Sequence, residues 1–212
     1  MFTSYGNSTM TKVFIISLLI SAAALLIPFW PRIVFLITAG TAILFTLYFF
    51  RDPNRKIPDE NRTVLAPADG KILLVQKHDH QGSGKSSTLV SIFMSPFNVH
   101  VNRIPISGKV IHLRYCPGTF LMAFDPRSKE SNEQMEIGID NGEIEVFFNQ
   151  VSGFLARRIV CALHSGETVQ AGERFGMIKF GSRVDLFLPP SLSILVKAGQ
   201  ITRAGETILA RY

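Results

Sequence analysis

Ser182 follows Gly181 inside the run Gly176-Met-Ile-Lys-Phe-Gly-Ser-Arg-Val-Asp-Leu-Phe-Leu-Pro189. Glycine leaves its carbonyl uncrowded and tolerates a strained backbone that exposes it. Attack by Ser182 Oγ on the Gly181 carbonyl would turn the amide into an ester. Elimination from that ester would release the Gly181 carboxylate and leave a dehydroalanine, whose imine tautomer loses ammonia to water, so that the new chain begins with a pyruvoyl group made from Ser182, a built-in carbonyl. Such chemistry needs a base for the hydroxyl, an oxyanion site and a proton donor. The same Gly-Ser pair between two apolar runs also reads as an ordinary turn. The rest of the chain has to decide.

Asp69, in Ala68-Asp69-Gly70, is either a turn residue or a carboxylate that supports the cleavage. His100 is either a half-buried strand histidine or a proton carrier. Arg103 follows three residues later and cannot be a base at neutral pH. Its planar fork suits a phosphate or a carboxylate. The base for Ser182 therefore stays open between His100, Asp69 acting directly, and His112 or His164. His78-Asp-His80 reads as a solvated hairpin loop, because third and fourth metal ligands are not evident. Gly82-Ser-Gly-Lys-Ser-Ser87 lacks the spacing and frame of a phosphate loop. No metal and no nucleotide are expected. Cys116 and Cys161 show no paired spacing and read as free thiols in a reducing compartment.

Two apolar runs precede all of this. Val13–Trp30 and Ile33–Phe50 are each 18 residues without charge, separated by Pro31-Arg32. Helices of that length span about 27 Å, just enough to cross a bilayer. A cleavable signal peptide fits poorly, because the second run follows at once with no small-residue cleavage site. The spacing predicts a helical hairpin over residues 1–50, with helices over 13–30 and 33–50, either spanning or re-entrant. Lys12, Arg51, Arg55 and Lys56 flank its ends and Arg32 sits at the tip, which puts the ends in the cytoplasm.

Residues 51–212 follow as a second domain. Arg51-Asp-Pro-Asn-Arg-Lys-Ile-Pro58 reads as a linker. Beyond it come short strands at 71–75, 87–94, 108–115, 143–149, 157–163, 183–188 and 193–197, punctuated by Gly and Pro. The single helical expectation covers Ser128–Gln134. Thr119-Phe-Leu-Met-Ala-Phe124 reads as a core strand or as an apolar flap. Gly166-Glu-Thr-Val-Gln-Ala-Gly-Glu-Arg-Phe175 repeats as Gly199-Gln-Ile-Thr-Arg-Ala-Gly-Glu-Thr-Ile208 at an offset of 33. These glycine-marked turns resemble those of lipoyl/biotinyl-type flattened barrels. The fold expected is mainly β: a barrel-sandwich domain behind an α-helical membrane hairpin. The net charge of +6 leaves +4 after residues 1–50, because Lys12 and Arg32 are the only charges there. A basic surface suits an anionic lipid headgroup.

Four segments in order resemble the short, membrane-anchored branch of the phosphatidylserine decarboxylases. They are Phe49-Phe-Arg-Asp-Pro-Asn-Arg-Lys-Ile-Pro58, Ala66-Pro-Ala-Asp-Gly70, Met94-Ser-Pro-Phe-Asn-Val-His-Val-Asn-Arg-Ile-Pro105 and Phe180-Gly-Ser182. The resemblance implies a proenzyme that cleaves itself between Gly181 and Ser182 into a β chain (1–181) and an α chain (182–212). The pyruvoyl group from Ser182 would then form a Schiff base with phosphatidylserine and yield phosphatidylethanolamine and CO2, with the carbonyl as electron sink. Asp69 and His100 match the residues that the family uses for self-cleavage and proton transfer. Larger members carry a second histidine where this sequence has Arg103, and Arg103 is assigned to the substrate. The resemblance implies a phosphatidylserine-type lipid and the membrane as partners, and no nucleic acid. It leaves room for a homo-oligomer. The location implied is the inner cell membrane, with the catalytic domain on the cytoplasmic side. The rival reading is a membrane-anchored, lipoyl-like adaptor without catalysis. Met177-Ile-Lys179 falls short of the Met-Lys-Met of a modified carrier.

Overall fold

The structure, a computed structural model, describes residues 1–79, 86–121, 131–153, 158–179 and 181–212. The chain forms two compact units, Met1–Asn54 and Arg55–Tyr212.

The first unit is a helical hairpin. A short 3-10 turn, Ser4–Gly6, leads into α1 (Asn7–Ala24), and α2 spans Phe29–Phe49. Both helices are long and apolar enough to cross a membrane. The break falls at residues 25–28, earlier than Pro31-Arg32. Pro28 sets it, because a proline drives the residue before it out of the helical region. Pro31 lies in the first turn of α2, where its missing N–H would have no helical partner anyway. α1 in turn starts before the apolar run, since nothing in Asn7-Ser-Thr-Met-Thr11 breaks a helix. Arg32 closes the turn: its Nη2 donates to the Leu25 and Ile27 carbonyls at 3.2 and 2.9 Å, both orphaned at the end of α1.

The second unit is mainly β. Its strands are β1 (Thr63–Leu65), β2 (Gly70–Asp79), β3 (Ser86–Met94), β4 (Val101–Arg103), β5 (Gly108–Cys116), β6 (Gln134–Asp140) and β7 (Glu145–Val151). They continue as β8 (Ile159–Cys161), β9 (Thr168–Val169), β10 (Arg174–Ile178), β11 (Ser182–Leu188), β12 (Ser193–Ile194), β13 (Ile201–Thr202) and β14 (Ile208–Arg211). A curled, antiparallel eight-stranded sheet in the order β13-β2-β3-β11-β7-β6-β5-β9 forms a half-barrel. Two three-stranded sheets, β1-β14-β12 and β4-β10-β8, complete the unit.

Period-two alternation sets the faces. Val90 and Ile92 of β3, Ile137 and Ile139 of β6, Val146 and Phe148 of β7, and Val184, Leu186 and Leu188 of β11 fill one core. The opposite face of β11 is buried too, and carries an ion pair: Arg183 Nε lies 3.0 Å from Asp185 Oδ1, which also accepts from Ser91 Oγ.

Of the helix expected over Ser128–Gln134, Ser131 is helical and Asn132–Gln134 are not. Residues 128–130 lie outside the described segments, and Gln134 opens β6. Met135, Ile137 and Ile139 alternate with polar neighbours, and that period selects a strand. The expected strand over 157–163 narrows to Ile159–Cys161. The His78–His80 and Gly82–Ser87 readings, and the Thr119–Phe124 flap, rest in part on residues 80–85 and 122–124, which also lie outside.

Candidate active site

Ser182 is the first residue of β11, the central strand between β3 and β7. It is fully buried and pairs with Met94, the last residue of β3. Its Oγ donates to Met94 Sδ at 3.4 Å. A thioether is a weak acceptor, so this hydroxyl is not tied up by a strong one. Gly181 enters the strand with φ of 63°, the left-handed region that glycine reaches without a Cβ penalty. A Cβ built there would meet nothing within 4 Å, so space beside Gly181 is open.

Behind Ser182 lie two amides that the sequence reading missed. Asn102, in β4, donates its Nδ2 to Met94 Sδ (3.7 Å) and to the Pro67 carbonyl (3.4 Å). Gln150 of β7 donates to Asn102 Oδ1 at 2.9 Å. Both residues are fully buried. One signal was available: inward positions of β7 read Val146, Phe148, Gln150, so a polar residue stands where the period calls for an apolar one.

Asp69 sits immediately before β2, at the same end of the sheet as Met94 and Ser182. Both its oxygens accept from Arg55 Nη2, at 2.9 and 2.8 Å, and Oδ1 also accepts from the Ala204 N–H at 2.8 Å. Arg55 reaches Glu206 as well, at 3.6 Å. Read from sequence as a flank of the membrane hairpin, Arg55 is only 8 % exposed along its side chain and belongs to this clamp. Asp69 is therefore held by a cation and a backbone donor.

His100 lies just before β4, which pairs with β10, the strand that runs into Gly181. It is fully buried, and its Nδ1 lies 2.9 Å from the Asn98 carbonyl. With Nδ1–H donating there, a neutral ring keeps its lone pair on Nε2. Asn98 is itself pinned, accepting from the Ser95 N–H and Oγ at 2.9 and 2.8 Å. Neither His100 nor Asp69 is hydrogen-bonded to Ser182. Arg103 is buried and donates Nη1 to the Gly172 carbonyl at 2.8 Å. His112 pairs with Glu136 at 3.2 Å and His164 with Glu167 at 3.5 Å. Among the described residues no cluster of three or more His, Cys, Asp or Glu side chains could hold a metal ion.

The family model described as phosphatidylserine decarboxylase matches residues 42–210. Curated proteins named phosphatidylserine decarboxylase proenzyme align along the whole chain. One from Pelodictyon phaeoclathratiforme is 72 % identical over all of both chains. Others are 61 % identical in Chlorobium phaeobacteroides, over 99 % of each chain, and 58 % in Chlorobaculum tepidum, over 98 % of this chain and 96 % of that one. A mainly β domain with a buried serine after a left-handed glycine, matched in this way, defines a carboxy-lyase. The non-catalytic adaptor reading is set aside by the same full-length matches. The chain belongs to the phosphatidylserine decarboxylase family.

Proposed function

We propose that this protein is a self-processing proenzyme that decarboxylates phosphatidylserine to phosphatidylethanolamine. The observation that carries the reading is the Gly181–Ser182 bond itself. A left-handed glycine precedes a buried serine whose hydroxyl, among the described residues, has a thioether as its one hydrogen-bond partner, in a chain of this family.

The residues fit a pyruvoyl group made from Ser182. Ser182 itself is shut off from water, Met94 is an apolar neighbour, and the ladders of β3 and β7 hold the strand on both sides. Such a group supplies a carbonyl that takes up a primary amine and accepts the electron pair left when CO2 departs. Met94, backed by Asn102 and Gln150, would fix position 182. His100, with Nδ1 on the Asn98 carbonyl, is oriented to carry a proton on Nε2. Asp69, clamped by Arg55 and Ala204, supports cleavage by holding the turn after Thr202 against the start of β2. Arg103, with Nη1 on the Gly172 carbonyl, would meet the lipid headgroup with its guanidinium. An Arg103→Ala protein that processes and binds lipid normally would remove that role.

The apolar helices anchor the enzyme, and Lys12 in the N-terminal part of α1, with Arg51 and Lys56 after α2, favours the cytoplasmic side of the cell membrane. Ser182→Ala tests the reading: the variant should stay a single chain on a denaturing gel while wild type yields two. Equal cleavage in both would refute it.

A further inference from the structure

The end of the large sheet beside Ser182 carries polar oxygens that the steps above leave unpaired. Carried one residue past Arg183↔Val151, the register of β11 on β7 sets Ser182 opposite Ser152. Ser152 in turn donates its N–H to the Glu133 carbonyl at 2.9 Å, next to the first residue of β6. Directly opposed residues on antiparallel strands hold their Cβ atoms about 4.5–5.5 Å apart. Glu133, Ser152 and Ser182 thus form one row across three adjacent strands. Gln150, two residues before Ser152, shares that face. Its bond to Asn102, and that of Asn102 to Met94, tie it to Ser182.

These side chains are closed to solvent. Glu133 is 8 % exposed, and Gln150 and Ser152 are fully buried. Glu133 Oε2, Gln150 Oε1 and Ser152 Oγ have no hydrogen-bond partner among the described residues. The other polar atom of each long side chain is fixed: Tyr115 donates its hydroxyl to Glu133 Oε1 at 2.9 Å, and Gln150 Nε2 is held by Asn102. Buried polar atoms are nearly always satisfied, so three orphans in one place call for a ligand. A carboxylate oxygen, an amide oxygen and a hydroxyl can all accept. A single centre with positive charge and three N–H donors matches them.

We propose that Glu133, Gln150 and Ser152 form the subsite for the primary ammonium of the lipid headgroup, beside the reactive carbonyl at position 182. The inference rests on the proposed function and assigns its amine-binding residues. Oε2 of Glu133 supplies the countercharge, while Tyr115 keeps the other oxygen turned away. A quaternary ammonium, which has no N–H, cannot satisfy the three acceptors.

The test uses the full-length processed chain in detergent, its carbonyl at position 182 first reduced with borohydride so that no imine forms, titrated calorimetrically with short-chain phosphatidylethanolamine and, as control, short-chain phosphatidylcholine. Phosphatidylethanolamine should bind at least tenfold more tightly than the choline lipid. Glu133→Gln, Gln150→Leu and Ser152→Ala should each weaken it by about tenfold, the effect of one charge-assisted hydrogen bond, and leave the choline lipid unchanged. Self-cleavage on a gel reports that each variant folds. If Glu133→Gln fails to process, Ser152→Ala, the smallest change, carries the test. Affinity within twofold of wild type in the processed variants overturns the subsite. Loss of processing in all three also overturns it, since the row would then serve cleavage. A wild-type chain that never cleaves contradicts the proposed function itself and is seen before any titration.

Discussion

In the proposed cleavage Gly181 would contribute backbone and Ser182 an oxygen, by different physics. A left-handed φ of 63° costs an L-residue with a Cβ about 1–2 kcal/mol. No atom crowds the position, so Gly181→Ala isolates that backbone cost. Processing of Gly181→Ala should slow by about tenfold, read from the half-time of the intact band, because tenfold corresponds to about 1.4 kcal/mol. Asp69 works through its partners. Removing Arg55 leaves a mostly buried carboxylate with only the Ala204 N–H. Breaking such a pair costs about 3–5 kcal/mol, so Arg55→Met should lower the urea midpoint markedly. An unchanged midpoint would show that the clamp is not part of the fold's stability.

The strands carry a second, outward set of charges that titrate. Burial lifts the Glu136 carboxyl, but the hydrogen bond from Arg114 and then that from His112 outweigh it and hold the group below its ordinary range. A folded value below the unfolded one means that the unfolded chain binds more protons in the window between them. Stability then rises with pH through that window and is lost as pH falls through the folded value. Glu136→Gln should flatten this acid limb, by no more than about 1 kcal/mol because Arg114 is exposed. Urea midpoints on either side of about pH 4 check it. Much of this scale was legible in the sequence. The 33-residue repeat is realised as matched turns: Gly166 and Gly199 take φ of 84° and 89°, Gly172 and Gly205 82° and 74°. The strands expected at 87–94 and 183–188, between Gly and Pro, are β3 and β11. The row from Glu133 to Ser182 was not legible, because it arises from register between strands far apart in the chain. Arg55 was misread for the same reason: its partner lies 14 residues on, across a turn whose path no local pattern gives.

At the scale of the whole chain, the fold accounts for how the two chains of the proposed cleavage would stay together. β11 lies in the middle of the large sheet, β14 in the middle of a small one, and β13 on an edge. Val184, Leu186, Leu188, Leu192, Leu209 and Ala210, all beyond the scissile bond, belong to the core. The two products should therefore co-elute in native gel filtration and separate only in denaturant. Fragments that part without denaturant would contradict the interleaving. The helical unit ends at Asn54 and the β unit has its own core. Removing residues 1–54 should leave a domain that still processes and no longer partitions with membranes in flotation.

The central claim is that Ser182 becomes the first residue of a new chain. Mass spectrometry of the purified wild-type protein tests it most directly. The account predicts a fragment spanning residues 182–212 that is blocked to Edman degradation. It should be about 17 Da lighter than the same fragment with a serine at its start, ammonia having given way to a keto oxygen. A preparation that decarboxylates lipid while its chain remains intact from Met1 to Tyr212 would contradict it.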